Sequence, residues 1–338
     1  MTAPDLVRRI ALDTLQRNPT PAEVSAARTQ SPVEVARSSC ATLEATQVWL
    51  DDELLYFLLI DNFRPTTEAI RTLPQRLLGK SADIRSATAE ILLSSGFSLR
   101  NPGNDTFVTV VLEQCLGLEV QDRRNEPVLA AGKRVYDGYE TRFLGGKGKT
   151  QADVVKLALA DRRFAAHLLD RHHRRLFAAP LPKDEAASVD IVHAQPGAFF
   201  DVLVQWLGSE RYADPARARR PLSHHQFARS LYHDLLGRAP TYDELRMVRN
   251  ALLSMADPAP LRAVLVKIVL DSGRAKLPAV PARQEGEAFV RTCFTTFLRR
   301  EPTADEIRVF TDDLWSEQTP SAVPLVRTLL GAADYLEY

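Results

Sequence analysis

The sequence predicts an all-α protein, an array of about six degenerate three-helix units, and three observations carry that reading. One line recurs three times, as TLQRNPTPAEV (14–24), LLGRAPTYDEL (235–245) and FLRREPTADEI (297–307). Apolar residues elsewhere fall three and four apart, as in Leu261, Val264, Leu265, Ile268 and Val269, the stripe of an amphipathic helix. No stretch alternates apolar and polar residues long enough to demand a sheet.

The recurring line reads as a helix-to-helix corner. Pro19, Pro240 and Pro302 disfavour the helical conformation in the residue before them, so each preceding helix should stop there. Thr20, Thr241 and Thr303 supply N-cap oxygens, and Glu23, Glu244 and Glu306, three positions on, can reach back to the cap N–H. Pro21 suits a first helical position. Arg17, Arg238 and Arg300 hold one place in the three corners, where an arginine can bond the carbonyls ending the preceding helix.

A second feature follows the corners: a leucine, then an aromatic residue five positions on. It appears as Leu92 and Phe97, Leu159 and Phe164, Leu207 and Tyr212, and Leu330 and Tyr335, and has decayed to Ala275 in LDSGRA. It reads as the end of a third helix with the aromatic ring folded back onto the unit.

Together the two features divide the chain into units at about 5–50, 53–100, 105–169, 170–214, 224–278 and 286–338, a period expected of helical repeats. The second unit keeps only PTTE (65–68) of the corner and the fourth only APLPKDE (179–185). In the third, FVTVVLEQCLGLEVQ (107–121) reads as a helix ending near Gly117, and GGKGKT as an exposed loop before a helix capped by Thr150. Proline-bearing connectors at 213–223 and 277–285 suggest domains at 1–104, 105–217 and 218–338.

The unit FLRREPTADEI…SAVPLVRTLLGAADYLEY resembles phycobilisome-linker-like bacterial interaction domains. LVRRIALDTLQRNPTPAEV, RFAAHLLDRHHRRLFAAPLP and FFDVLVQWLGSERY resemble uncharacterised planctomycete domains that accompany cytochrome modules. Those proteins often carry a Cys-x-x-Cys-His haem site. This sequence has none, so no haem role is implied, and neither resemblance supplies catalytic residues.

Composition sets further bounds. The 43 basic and 43 acidic residues cancel, so no global field draws the chain to nucleic acid, which is not expected as a partner. Three cysteines, Cys40, Cys115 and Cys293, lie far apart, which suits free thiols in a reducing compartment and a cytoplasmic location. The opening residues lack a signal-peptide core, and the longest apolar run, Leu54 to Ile60, is too short to span a bilayer.

No motif has catalytic spacing, and no cofactor or metal is expected. FLGGKGKT has Phe143 where a phosphate-binding loop needs its first glycine. His172 and His173 are adjacent and would diverge on a helix, while His167, His224 and His225 add no chelating spacing. Cys115 and Cys293 sit in apolar helix patterns, as inert thiols do. Asp51–Asp52 and Asp312–Asp313 read as solvated helix faces. RHHRR (171–175) and RARR (217–220) could form basic patches, but aromatic residues for base stacking are absent.

The expected function is therefore a non-catalytic protein-interaction scaffold or adaptor, with an accessory subunit of an enzyme complex as the alternative. A partner should bind where the units differ. That points to Tyr136, Arg142, Lys147, Lys149, Arg171, Arg174 and Arg175.

Overall fold

The computed structural model describes residues 3–59, 67–214, 219–314 and 321–338. It is 71% helical. Chain order is α1 (Ala3–Thr14), α2 (Pro21–Ala26), α3 (Pro32–Cys40), α4 (Leu43–Leu58), α5 (Glu68–Arg71), α6 (Leu73–Leu78), α7 (Ile84–Leu92), α8 (Ser95–Arg100), α9 (Gly103–Leu116) and α10 (Glu126–Tyr136). A hairpin of β1 (Thr141–Phe143) and β2 (Gly146–Gly148) comes next, followed by α11 (Gln151–Ala160), α12 (Arg162–Phe177), α13 (Ala186–Ala194) and α14 (Phe199–Leu207). The last stretch holds α15 (His224–Leu236), α16 (Tyr242–Leu253), α17 (Ala259–Asp271), α18 (Gly286–Phe297), α19 (Ala304–Leu314), α20 (Val323–Gly331) and α21 (Ala333–Leu336).

Contacts divide the chain into a split module, Met1–Ser39 with Leu207–Tyr338, and an inserted module, Cys40–Trp206. This differs from the expected division at 104/105 and 217/218. The reason is physical: the first corner packs with the last two rather than with its sequence neighbours. Arg8 donates to the carbonyls of Asp334, Tyr335 and Glu337 at 2.6 to 2.8 Å. Leu12 lies in one apolar core with Phe227, Leu231, Phe294, Val326 and Tyr335.

All three corners stand in the split module and share one set of hydrogen bonds. Each threonine accepts from its glutamate's N–H at 3.0 to 3.3 Å, and each glutamate accepts from the threonine N–H at 2.6 to 2.8 Å. The arginines do something the sequence did not suggest. Arg17, Arg238 and Arg300 each present two nitrogens to the two oxygens of Glu23, Glu244 and Glu306, at 2.6 to 2.9 Å. Each also donates to the carbonyl of the residue after itself, Asn18, Ala239 or Glu301. The residue before each arginine is left-handed, Gln16 at φ 53, Gly237 at φ 65 and Arg299 at φ 59, and this turns the chain forward.

Between the corners runs a buried polar network. Asp234 accepts from Arg299, from Asn18 Nδ2 and from the Tyr335 hydroxyl. Asp13 accepts from the Tyr212 and Tyr338 hydroxyls at 2.6 and 2.9 Å, and pairs with Arg220. Asp13 and Asp234 stand four residues before the corner arginines Arg17 and Arg238, so they are one position in two copies.

The remaining corner fragments show none of these bonds among the described residues. Pro65 and Thr66 of PTTE lie outside the described residues, and Thr67 begins α5 without a side-chain cap. Pro182 precedes a short 3-10 turn, Lys183–Glu185. In the inserted module α9 packs against α10, α11 and α12, with Phe107, Val111, Val155 and Leu168 in its core. Its helix α9 ends at Gly117, φ 63, where the sequence placed the stop.

The leucine-to-aromatic feature is a helix junction. Ser94, Asp161 and Ala332, two residues after the leucines, are extended, and Phe97, Phe164 and Tyr335 are the third residues of α8, α12 and α21. Those rings and Tyr212 are buried.

Candidate interaction surface

The hairpin is the first of the two expected locations. GGKGKT is not an open loop: Leu144 and Gly145, at φ 49 and 84, turn β1 back onto β2, with Arg142 opposite Lys147. The short strands depart from a purely helical chain, and the glycines explain them. A Cβ on Gly146 would run into Leu157 of α11, and one on Gly148 would fall 2.7 Å from the Asp153 Cβ and 3.0 Å from Val135 Cγ1. Close packing is what Gly146 and Gly148 serve. Thr150 caps α11 as expected.

Among the expected contact residues here, Lys147 is exposed and pairs with Glu140 at 3.0 Å. Arg142 and Lys149 are exposed, whereas the Tyr136 ring is half-buried against Phe107, 5.3 Å between centroids.

The second location, RHHRR, turns largely inward. Arg171 reaches across to Glu53 of α4, 2.8 and 2.9 Å to its two oxygens, and its guanidinium lies 3.8 Å over the Tyr56 ring. Glu53 is buried. Burial alone would raise its carboxyl, but Arg171 and then His172 outweigh that and hold it down at about 2. Burial pushes His172 the other way, to about 4, so its imidazole is neutral near pH 7. His172 sits 4.9 Å from the Phe199 ring and His173 stacks on Phe177 at 4.6 Å. Arg174 and Arg175 are exposed at the surface, paired with Asp170 and Asp52 at 2.7 and 2.6 Å. Arg171 is thus only partly exposed, drawn in by its salt bridge to the buried Glu53 carboxylate. In RARR, Arg219 and Arg220 pair with Asp334 and Asp13, while residues 217 and 218 lie outside the described residues.

A third face was read only in part from sequence. Of the stripe expected to face inward on α17, Leu261, Leu265 and Val269 pack partly buried against the core, whereas Val264 is 48% and Ile268 58% exposed, and Arg262, Val266 and Leu270 are buried. Arg262 can occupy the inner face because its guanidinium donates to the Leu222 carbonyl at 2.6 Å and rests 5.3 Å from the Phe227 ring centroid. On α16, Met247 is 65% and Leu253 53% exposed. The copies themselves carry the signal that would have found this face. Counting back two and six residues from the junction leucine, α14 has Gln205 and Asp201 and α20 has Thr328 and Pro324, all exposed. Only α17 puts a pair of apolar residues there.

Among the described residues no group of three His, Cys, Asp or Glu is placed to hold a metal ion, and no helix is long and apolar enough to cross a membrane. Cys40, Cys115 and Cys293 are buried, and burial pushes each thiol above its ordinary range. No family model, curated protein or solved structure matches the chain.

Proposed function

We propose that this chain is a protein-interaction module whose docking face is the exposed side of α17, with Val264 and Ile268. One observation carries the reading: Val264 and Ile268 are exposed and apolar at positions that α14 and α20 fill with Asp201, Gln205, Pro324 and Thr328. Val264 and Ile268 are about half exposed, so leaving them uncovered forgoes roughly half the worth of burying an aliphatic side chain, about 1 kcal/mol each, a cost the other copies avoid. A partner that covers them recovers it. The likeness of the recurring line to bacterial interaction domains supports the same reading, and three buried free thiols support a reducing, cytoplasmic setting.

The test uses residues that sister copies already tolerate. Val264→Asp with Ile268→Thr should leave the helix content unchanged and remove at least one protein captured by the wild type from its source cells, measured by quantitative mass spectrometry. Identical captured proteins for both forms would overturn the assignment of the face. Turnover of a substrate by the purified chain alone would overturn the non-catalytic reading.

A further inference from the structure

The hairpin of the inserted module sets two cations directly against each other. Phe143 and Gly148 are buried while Arg142 and Lys147 are exposed, so strand alternation turns one face of the hairpin inward and the other out to solvent. On the outer face Arg142 and Lys147 are register partners. Directly opposed side chains of an antiparallel pair have Cβ atoms about 5 Å apart, and like charges there destabilise the sheet. Glu140 and Lys149, two positions further along each side, are exposed as well.

One carboxylate serves these three cations. Glu140 accepts from Lys147 at 3.0 Å, and that bond, with weaker help from Lys149, holds its carboxyl below the ordinary range. Among the described residues, Arg142 and the Lys149 side chain have no carboxylate within ion-pair reach. The exposed arginines of α12 differ: Arg162, Arg163, Arg174 and Arg175 pair with Asp190, Asp161, Asp170 and Asp52 at 2.6 to 2.7 Å. A hairpin that only had to stay solvated would do better with opposite charges across the pair, which stabilise it. Arg142 facing Lys147 is a local cost that folding does not ask for, and an acidic occupant removes it.

We infer that the outer face of this hairpin docks an extended acidic segment of a partner protein, with two carboxylates two residues apart. Side chains two apart on an extended chain lie about 6.6 Å from each other on one face, the same interval that separates Lys147 from Lys149. One carboxylate then receives the two-pronged guanidinium of Arg142 beside Lys147, and the next meets Lys149. Together with Glu140 they set three acids against three cations. The hairpin belongs to the inserted module and α17 to the split module, so each docking surface can fail without the other.

The probe is the capped peptide Thr-Glu-Val-Glu-Thr. One control has glutamine at both acidic places, and a second, Thr-Glu-Glu-Val-Thr, keeps the charge at the wrong spacing. The full nitrogen-15-labelled chain is titrated at low salt, where exposed pairs are least screened. The probe should shift the amides from Arg142 to Lys149 and bind at least threefold tighter than either control. Arg142→Glu should weaken it at least threefold and yet slow hydrogen exchange in the hairpin, because the pair with Lys147 becomes attractive. A merely structural role for Arg142 would not give those opposite signs. Ile268→Thr on α17 should change nothing. Equal binding of the three peptides, or binding indifferent to Arg142, overturns the inference. Inorganic phosphate that produces the same shifts and displaces the peptide at matched charge would make this a small-anion site. An oligothymidylate that binds more tightly than the peptide and depends on Arg142 would make it a nucleic-acid site, and either result overturns the acidic segment.

Discussion

Tyr335 donates its hydroxyl hydrogen to Asp234 at 2.9 Å, joining residues 101 positions apart in the sequence. Tyr212 makes the equivalent bond to Asp13 at 2.6 Å. Burial raises the Asp234 carboxyl, but Arg299 outweighs it, with His233 and Asn18 adding to the effect, and the group sits down at about 2. It is therefore ionised, and the tyrosine serves a buried charge. Phe97 and Phe164 occupy the same junction position in the inserted module, so the ring alone suffices for packing there.

Tyr335→Phe should accordingly cost about 1.5 to 3 kcal/mol, the range for a hydrogen bond to a charged group, with little change in packing. Urea unfolding of the variant measures it. A loss below half a kcal/mol would mean that Asp234 does not depend on the hydroxyl.

In the corners, Thr241→Ala and Thr303→Ala should each cost about 1 kcal/mol by removing an N-cap. Glu244 is the less decisive partner, because the Arg238 side chain is 41% exposed and water screens the pair. Glu244→Gln should keep most of the stability, a contrast that equilibrium unfolding of the two variants would read directly.

Gly208 makes a sharper steric prediction. A Cβ there would fall 2.8 Å from the Val33 Cα and 3.0 Å from its backbone nitrogen, neither of which can swing away. Gly208→Ala should destabilise by about 1 to 3 kcal/mol. Gly197→Ala meets nothing within 4 Å and should stay within about 0.5 kcal/mol of the wild type. Thermal melts of the pair decide it.

Acid should weaken the inserted module through His172. Its imidazole is held at about 4, chiefly by burial, below the free value of 6.5. The unfolded chain then binds more protons between those values, so stability falls as pH drops from about 6.5 to about 4, by at most about 1.4 kcal/mol per pH unit for this one group. Glu53 adds a separate loss below about 4.5, as the pH falls toward its folded value of about 2. His172→Leu or His172→Gln should reduce the slope in the upper window, with His167, which burial also holds below its free value, supplying the remainder, and leave the lower one. Hydrogen exchange in α4 and α12 against pH would register the change, and unaltered slopes in both variants would refute the role of His172.

The corners were readable because capping is local chemistry: Thr20 and Glu23 are three residues apart, and nothing distant alters their bond. The left-handed residues were half readable, since Gly237 announces such a turn while Arg299 does not. Arg299 is held there by bonds to the Pro19 carbonyl and Asp234, 280 and 65 residues away. The split of the module was not readable at all, because Asp13 meets Tyr212 and Tyr338 at separations of 199 and 325. The same distance effect hid the candidate surface. Polarity alone sends Arg262 outward and Val264 inward, and only the Leu222 carbonyl and the Phe227 ring reverse them. In RHHRR a kindred effect acts on one residue, since a buried Glu53 draws Arg171 part of the way in while Arg174 and Arg175 stay exposed.

The grip of Arg8 on the carbonyls of Asp334, Tyr335 and Glu337 also sets a timetable for the nascent chain. Residues 40–206 emerge from the ribosome as one uninterrupted stretch and can fold as soon as they are out, while the first helix must wait. At about 5 to 20 residues per second, that wait lasts roughly 15 to 65 s. Throughout it the apolar side of α1, with Ile10 and Leu12, lacks its final neighbours and is a natural client for a chaperone. Slowing translation beyond residue 207 should therefore lower the yield of native protein more than slowing it before residue 40.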